Sequence, residues 1–173
     1  VVTLRPARTQ DAAAIRVVLV AAFPTPEEAD LVDRLRADGD ILLEWAAEID
    51  GEIVGAVQYS PLRLARPSGE TLAAALAPLA VRPEHQRQGL GARLVEATLP
   101  LLRARGDLES VVVLGHPAYY PRFGFSADAA SATLIDPFDA GAAFMALPLT
   151  RRPPADRATP IYASAFSLSQ IAP

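Results

Sequence analysis

The stretch that most narrows the possible folds runs from Thr71 to Glu96. It is an apolar segment, TLAAALAPLAV, then a charged loop, RPEHQRQ, then GLGARLVE. A strand, a loop and a helix in that order bring several backbone N–H groups to one helix mouth. Gly89 and Gly91 remove the Cβ atoms that would hold a ligand away from it. Unpaired amides and the partial positive charge of a helix N-terminus suit an anion, phosphate above all. Arg87 and Arg93 can add charge-assisted contacts. Two glycines alone fit a tight strand-to-helix turn equally well, with the arginines in solvent, so the rest of the chain has to decide. Pro78 can donate to neither a helix nor a central ladder, which predicts a strand with a bulge or a splayed edge.

The composition removes several classes of chemistry. At 173 residues the chain is most simply one domain spanning residues 1–173, long enough to bury roughly 70% of the surface its unfolded form exposes. It is 51% hydrophobic and 21% charged, the balance of a folded, cytoplasmic protein rather than a disordered one. A net charge of −4 lacks the basic footprint that nucleic acid requires. No apolar run approaches the roughly 20 residues of a membrane span, and AAAIRVVLVAAF, broken by Arg16, reads as an amphipathic helix. With no cysteine there is no thiolate nucleophile or zinc knuckle. All 16 basic residues are arginine, which removes the P-loop lysine and Schiff-base chemistry. Only His85 and His116 offer imidazoles, so no metal centre is expected, and no G-x-S-x-G marks a serine hydrolase.

Local patterns outline the elements. VVTLRPA suits a first strand. Thr9 suits the cap of a helix with Ile15, Val18, Leu19, Ala22 and Phe23 on one face. Thr25, Pro26 and Glu28 suit the start of a second helix carrying Leu31, Val32 and Leu35. Asp50-Gly51 between ILLEWAAEI and EIVGAVQYS is the strongest hairpin signal, because both turn positions require positive φ. Pro67-Ser68-Gly69 marks a further turn. The helix from Gly89 to Arg105 ends at Gly106, and Pro100 should kink it. VVVLG reads as a strand buried on both faces. HPAYYPRFGF is a turn or short helix, AAFMALPLT a later strand, RRPPADRATP a loop, and IYASAFSL completes the sheet, covers a cleft or reaches a partner subunit.

Three phosphate-binding patterns compete for the glycine loop. The P-loop fails for want of lysine. The dinucleotide fingerprint needs a third glycine where Leu94 stands, and a seven-residue loop intervenes after Val81, although Glu109 lies where a ribose-binding acid would be wanted. The third is Q-x-x-G-x-G/A, met by Gln86, Gly89 and Gly91 in QRQGLGA. It resembles the coenzyme A signature of the GNAT superfamily of N-acetyltransferases. YPRFGF, Tyr120 to Phe125, lies about 30 residues further on, where that superfamily carries a tyrosine four residues before Gly-Phe. The longer GHPAYYPRFGF, Gly115 to Phe125, is similar to a stretch of a bacterial subgroup whose acceptors are mostly unassigned.

The resemblance implies an α/β (α+β) fold: a central mixed, mostly antiparallel sheet with a splayed, bulged fourth strand, flanked by helices. It implies an acetyl-CoA-dependent N-acetyltransferase with acetyl-CoA as co-substrate and no metal. It places Ala80 and Val81 beside the pantetheine arm and the amides of Arg87, Gln88, Gly89, Gly91 and Ala92 at the pyrophosphate. Tyr120 is the implied general acid for the departing thiolate, a transfer uphill by only about 1.5 pKa units at ordinary values. A neutral amine attacks the thioester directly, with an amide near Val81 polarising its carbonyl. His116, His85 and Glu48 are weighed as the base and none is chosen. Glu27, Glu28 and Asp30 offer charge to a cationic acceptor, while capping accounts for the first two. Tyr119 is expected to pack or to contact the acceptor. The partner is a small-molecule or peptide amine, not nucleic acid or a membrane, and the protein a monomer or homodimer. Other classes are a non-catalytic coenzyme A-binding module of the same fold and, distantly, a dinucleotide-binding oxidoreductase.

Overall fold

The computed structural model describes residues 1–167. Its strands are β1 (Val2–Pro6), β2 (Leu43–Ile49), β3 (Glu52–Arg66), β4 (Gly69–Val81), β5 (Leu108–Leu114), β6 (Phe144–Pro148) and β7 (Thr159–Tyr162). They form one mixed sheet in the order β1 to β6, with β7 added to β3. Among these strands every pairing is antiparallel except that of β4 with β5. A parallel pair needs a long crossover, and α3 (Leu90–Arg105) supplies it. The other helices are α1 (Ala12–Ala22), α2 (Glu27–Asp38), α4 (Ala127–Thr133) and α5 (Ser164–Ser167).

The Asp50-Gly51 turn forms as its residues dictate, with φ of 50° and 84°. β3 runs on well past Ser60, beyond the expected strand. Its edge is shared, since β2 pairs up to Tyr59 and β7 takes over at Leu62. Pro61 falls in the gap between the two partners, where a missing N–H breaks no ladder bond. α1 buries Ile15, Val18 and Leu19 as its spacing requires. Its entry is organised by Asp11 rather than Thr9: the Asp11 carboxylate accepts the Arg8 N–H at 2.7 Å and is held by Arg5 at 2.6 Å. Hydrogen bonding from Arg5 holds that carboxyl below the usual range. α2 starts after Pro26 without a side-chain cap from Thr25.

α3 packs on one sheet face, burying Leu90, Leu94, Val95, Leu99 and Leu102 against residues such as Val57, Tyr59 and Val111. The Tyr59 and Thr98 hydroxyls meet at 2.8 Å, and Thr98 also donates to the Leu94 carbonyl at 2.7 Å. The helix continues through Pro100, which lies on its exposed side, where the Glu96 carbonyl it leaves unpaired can face water. The opposite face is covered by α1 and α2 over Ala46, Ile53, Ala56 and Ala80, and by α4 over the β5 and β6 region. The sequence pattern does not announce α4. Its one clear signal is Ser126, whose hydroxyl caps the Ala129 N–H at 3.0 Å.

Two irregularities in β4 open the sheet. Val57 pairs with Leu79 but Tyr59 pairs with Leu76, so Ala77 and Pro78 bulge opposite Gln58. Pairing with β5 stops at Ala75 with Val112, so the C-terminal part of β4 diverges from β5. The expected bulge and splay are both present, and Pro78 sits in the bulge.

The C-terminal segment completes the sheet as β7 and then packs α5 on α2 through Ala165 and Phe166 against Leu31 and Leu35. Leu168, also part of the segment expected to do this, lies outside the described residues.

Candidate active site

A cleft of about 670 Å³ opens where β4 and β5 part. Leu79 and Val81 of β4 form one wall, residues 85–87 and 89–92 form one end, and His116, Tyr119, Tyr120 and Arg122 close the other side. The end is built from backbone. Arg87 has φ 60° and Gly89 has φ 80°, and the first intrahelical bond closes only at the Arg93 N–H, to the Gly89 carbonyl at 3.0 Å. The amides before it, through Ala92, are the orphan donors of a helix start, gathered at the cleft.

The site residues expected from the sequence divide by strand parity. Arg82 donates its N–H to the Val54 carbonyl at 2.8 Å, so the peptide groups of residues 80 and 82 turn toward β3 and those of 79 and 81 toward the open edge. Ala80 accordingly lies in the cluster under α1 and does not line the cleft, while Val81 does, together with Leu79, which the sequence pattern does not single out. The Val81 carbonyl is occupied, since the Gln86 side chain donates to it at 2.9 Å. Gln86 thereby braces the loop. Arg87, Gly89, Gly91 and Ala92 line the cleft. Gln88 is not among the lining residues, and its side chain folds back to the Glu84 carbonyl at 3.2 Å. Arg93 is exposed outside it.

Tyr120 is presented by a turn in which the His116 carbonyl accepts from the amides of Tyr119 and Tyr120 at 3.0 and 3.4 Å. Its ring packs edge-on to Tyr119 and Phe125, with centroids 5.1 and 5.8 Å away. The turn depends on Gly115: a Cβ built there would lie 2.3 Å from Tyr120 Cε2. Burial, and then the neighbouring Tyr119 and Tyr59, push the Tyr120 hydroxyl pKa well above the ordinary tyrosine value. Tyr119 leans over the end built from the glycine loop, its hydroxyl 3.1 Å from where a Cβ on Gly91 would be. Arg122 lies 4.5 Å above the Tyr119 ring and donates to its carbonyl at 2.9 Å. His85 and His116 both line the cleft. Glu48 does not, and is held by Arg5 at 2.8 Å.

Known proteins are similar to this chain in sequence and in fold. Residues 12–125 match the acetyltransferase (GNAT) family. The chain belongs to that family. It is 40% identical over 117 residues to the uncharacterized N-acetyltransferase YjhQ of Escherichia coli K12, a match covering 66% of this chain and 64% of the relative. For the uncharacterized N-acetyltransferase YhbS of the same strain the values are 41%, 66% and 68%. Among solved GNAT structures, YhbS from Escherichia coli in complex with CoA is 31% identical with a TM-score of 0.84, covering 96% of this chain and 92% of that one. A GNAT acetyltransferase from Brucella melitensis in complex with acetyl-CoA is 32% identical with a TM-score of 0.78, covering 96% and 98%. The expected mixed, mostly antiparallel GNAT sheet is the one observed. Glu109, the acid a dinucleotide reading would require, is buried and gripped by Arg66 and Thr71, away from the cleft. Among the described residues no group of His, Asp and Glu is arranged to hold a metal, and no helix is long and apolar enough to cross a membrane.

Proposed function

We propose that this chain is an acetyl-CoA-dependent N-acetyltransferase whose acceptor is a primary amine on a small molecule or peptide. The observation that carries the reading is one cleft with a cluster of helix-start amides at one end and Tyr120 along its side. The amides of Gly89, Gly91 and Ala92 and the Arg87 guanidinium suit a pyrophosphate. The Val81 N–H and the peptide groups of Leu79, at the open edge of β4, suit an extended amide-bearing arm, as an added strand would. Ala80 supports this only by holding β4 against β3. Acetyl-CoA, when bound, supplies an activated acyl group, and the remaining chemistry belongs to the protein.

Tyr120 holds a proton at its hydroxyl across the working pH range, because its raised pKa keeps it neutral. The mismatch with a thiol of ordinary pKa about 8.5 is therefore larger than free tyrosine would present. Tyr120 acts first as a hydrogen-bond donor to developing negative charge, and full transfer comes only as its proton is replaced. His116 and His85 are both within the cleft lining, and nothing in their surroundings favours one as a base. A second reading, a coenzyme A-binding module without turnover, shares the same loop and is separated by the same experiment. Acetyl-CoA should raise the Tm, and thiol should be released when a panel of amines, peptides and aminoglycosides is added. Tyr120→Phe should keep the stabilisation and lower release by about 10²-fold or more. Stabilisation without release on any amine selects the binding module, and an unchanged rate in Tyr120→Phe refutes its role.

A further inference from the structure

The face of the sheet away from α3 holds buried polar atoms that neither the coenzyme loop nor Tyr120 touches. Gln58 and Ser60 are fully buried on β3, and neither the Gln58 Oε1 nor the Ser60 Oγ has a hydrogen-bond partner. Residues two apart on a strand share a face, and Gln58 is the residue opposite the bulge. Its amide cannot be flipped to cure the deficit: Nε2 donates to Glu44 Oε1 at 2.8 Å, and a carboxylate only accepts. On α2, Leu31 and Leu35 pack in one cluster with Ala77 of the bulge. Glu28 lies on that same inward face, three and seven residues earlier, and its Oε2 is buried without a partner.

Most acids around Glu28 are already paired. Asp30 and Asp33 are bridged by Arg16 at 2.8 and 2.6 Å, Asp38 by Arg34 at 2.9 Å, and Glu44 by Arg36. Among the described residues Glu28, Glu27 and Asp40 make no ion pair, and of the three only Glu28 has a buried oxygen without a partner, so α2 and β3 present an anionic oxygen, an amide oxygen and a hydroxyl with hydrogen-bonding capacity to spare. Leaving buried polar atoms unmet is costly, and three such atoms, two on this face of β3 and one on the inward face of α2, suit a donor-rich partner. An alkylammonium has three N–H donors and one positive charge, which is that complement.

Resting on the acetyltransferase reading, we propose that Glu28, with Gln58 and Ser60, forms the acceptor subsite and selects amines that arrive as compact alkylammonium ions. Glu28 supplies the charge recognition, and the two uncharged residues orient the head group beside the β4 bulge. The substrate class is therefore an aliphatic primary amine, not an aromatic amine or an alcohol of the same shape.

The test uses the full chain saturated with CoA, titrated by calorimetry with hexylammonium and, separately, with 1-hexanol. Hexylammonium should bind, and hexanol should bind at least roughly tenfold more weakly. Glu28→Gln should weaken hexylammonium by roughly tenfold or more, Glu28→Asp should recover part of the loss, and CoA affinity should stay within about twofold in both. In turnover, Glu28→Gln should raise KM for alkylamines far more than it lowers kcat. Ser60→Ala should raise that KM without lowering Tm, because it removes an atom that has no partner in the protein. Equal hexylammonium affinity in wild type and Glu28→Gln overturns the proposal, as does an unchanged KM with a lower Tm in Ser60→Ala. If CoA binds and thiol is released but Glu28 is indifferent to the amine, the subsite alone is wrong. Failure of the wild type to bind CoA overturns the subsite and the acetyltransferase reading together.

Discussion

Gly115→Ala is the sharpest perturbation available to the Tyr120 assignment, because it adds one methyl group and touches no proposed ligand contact. Gly115 does not have positive φ, so alanine is allowed by the backbone. The obstacle is the Tyr120 ring, whose Cε2, Cδ2 and Cζ would lie 2.3, 2.8 and 3.3 Å from the new Cβ. Carbon atoms rest at about 3.5 to 4 Å, so the ring edge must withdraw by at least about 1 Å. Tyr119 and Phe125 hold the ring edge-on from two directions, so it cannot move without disturbing its neighbours. Overpacking of this kind costs about 1–3 kcal/mol of stability. A catalytic group misplaced by about 1 Å can cost about 10²-fold in rate. The expected outcome is a fall in kcat of that order with acetyl-CoA affinity nearly retained, measured by thiol release and calorimetry. If the loss acts through Tyr120, the double variant Gly115→Ala, Tyr120→Phe should be no slower than Tyr120→Phe alone. A kcat within twofold of wild type, or losses that simply multiply in the double variant, would refute the reasoning.

Three further outcomes concern the glycine loop, a buried ion pair and the titration of Tyr120. Gly89→Glu puts a side chain at φ 80° and a negative charge at the orphan amides, so acetyl-CoA affinity should fall at least about tenfold by calorimetry. Glu109→Gln breaks a pair whose Arg66 and Glu109 side chains are 0% and 6% exposed. Urea unfolding should show a loss of about 3 kcal/mol or more with acetyl-CoA affinity unchanged. Tyr120 must be protonated to donate, and burial raises its pKa, so the rate should show no falling limb assignable to it below about pH 10. A limb at lower pH that disappears in Tyr120→Phe would contradict this.

The parts that can be read from the sequence are those fixed by local stereochemistry. Asp50-Gly51, the buried faces of α1 and α2, the glycine loop and the turn that presents Tyr120 all rest on signals within a dozen residues. Pro78 announces an irregular strand, and the bulge is there. What escapes depends on partners distant in the chain. Whether Ala80 or Leu79 faces the cleft is a matter of register against β3, which one bulge residue reverses. Pro61 reads as a strand end only because nothing local shows that β2 hands over to β7 beside it. Gly115 draws no special notice because the atom it must clear belongs to a ring five residues away. Glu28 reads as a helix-start acid, and only burial of its Oε2 sets it apart.

The late arrival of β7 also has a consequence for biosynthesis. Leu62 and Leu64 are paired on one edge by Tyr162 and Pro160, about a hundred residues downstream. At about 5–20 residues per second, translation leaves that strand edge bare for roughly 5–20 s after its own residues emerge. During that interval the β3–β4 ribbon is an open template for any passing strand, its leucines uncovered. The nascent chain therefore carries this bare edge while the cleft-lining residues 79–122 are still being made, and co-expression at low temperature or with holdase chaperones should improve soluble yield most when β7 is weakened.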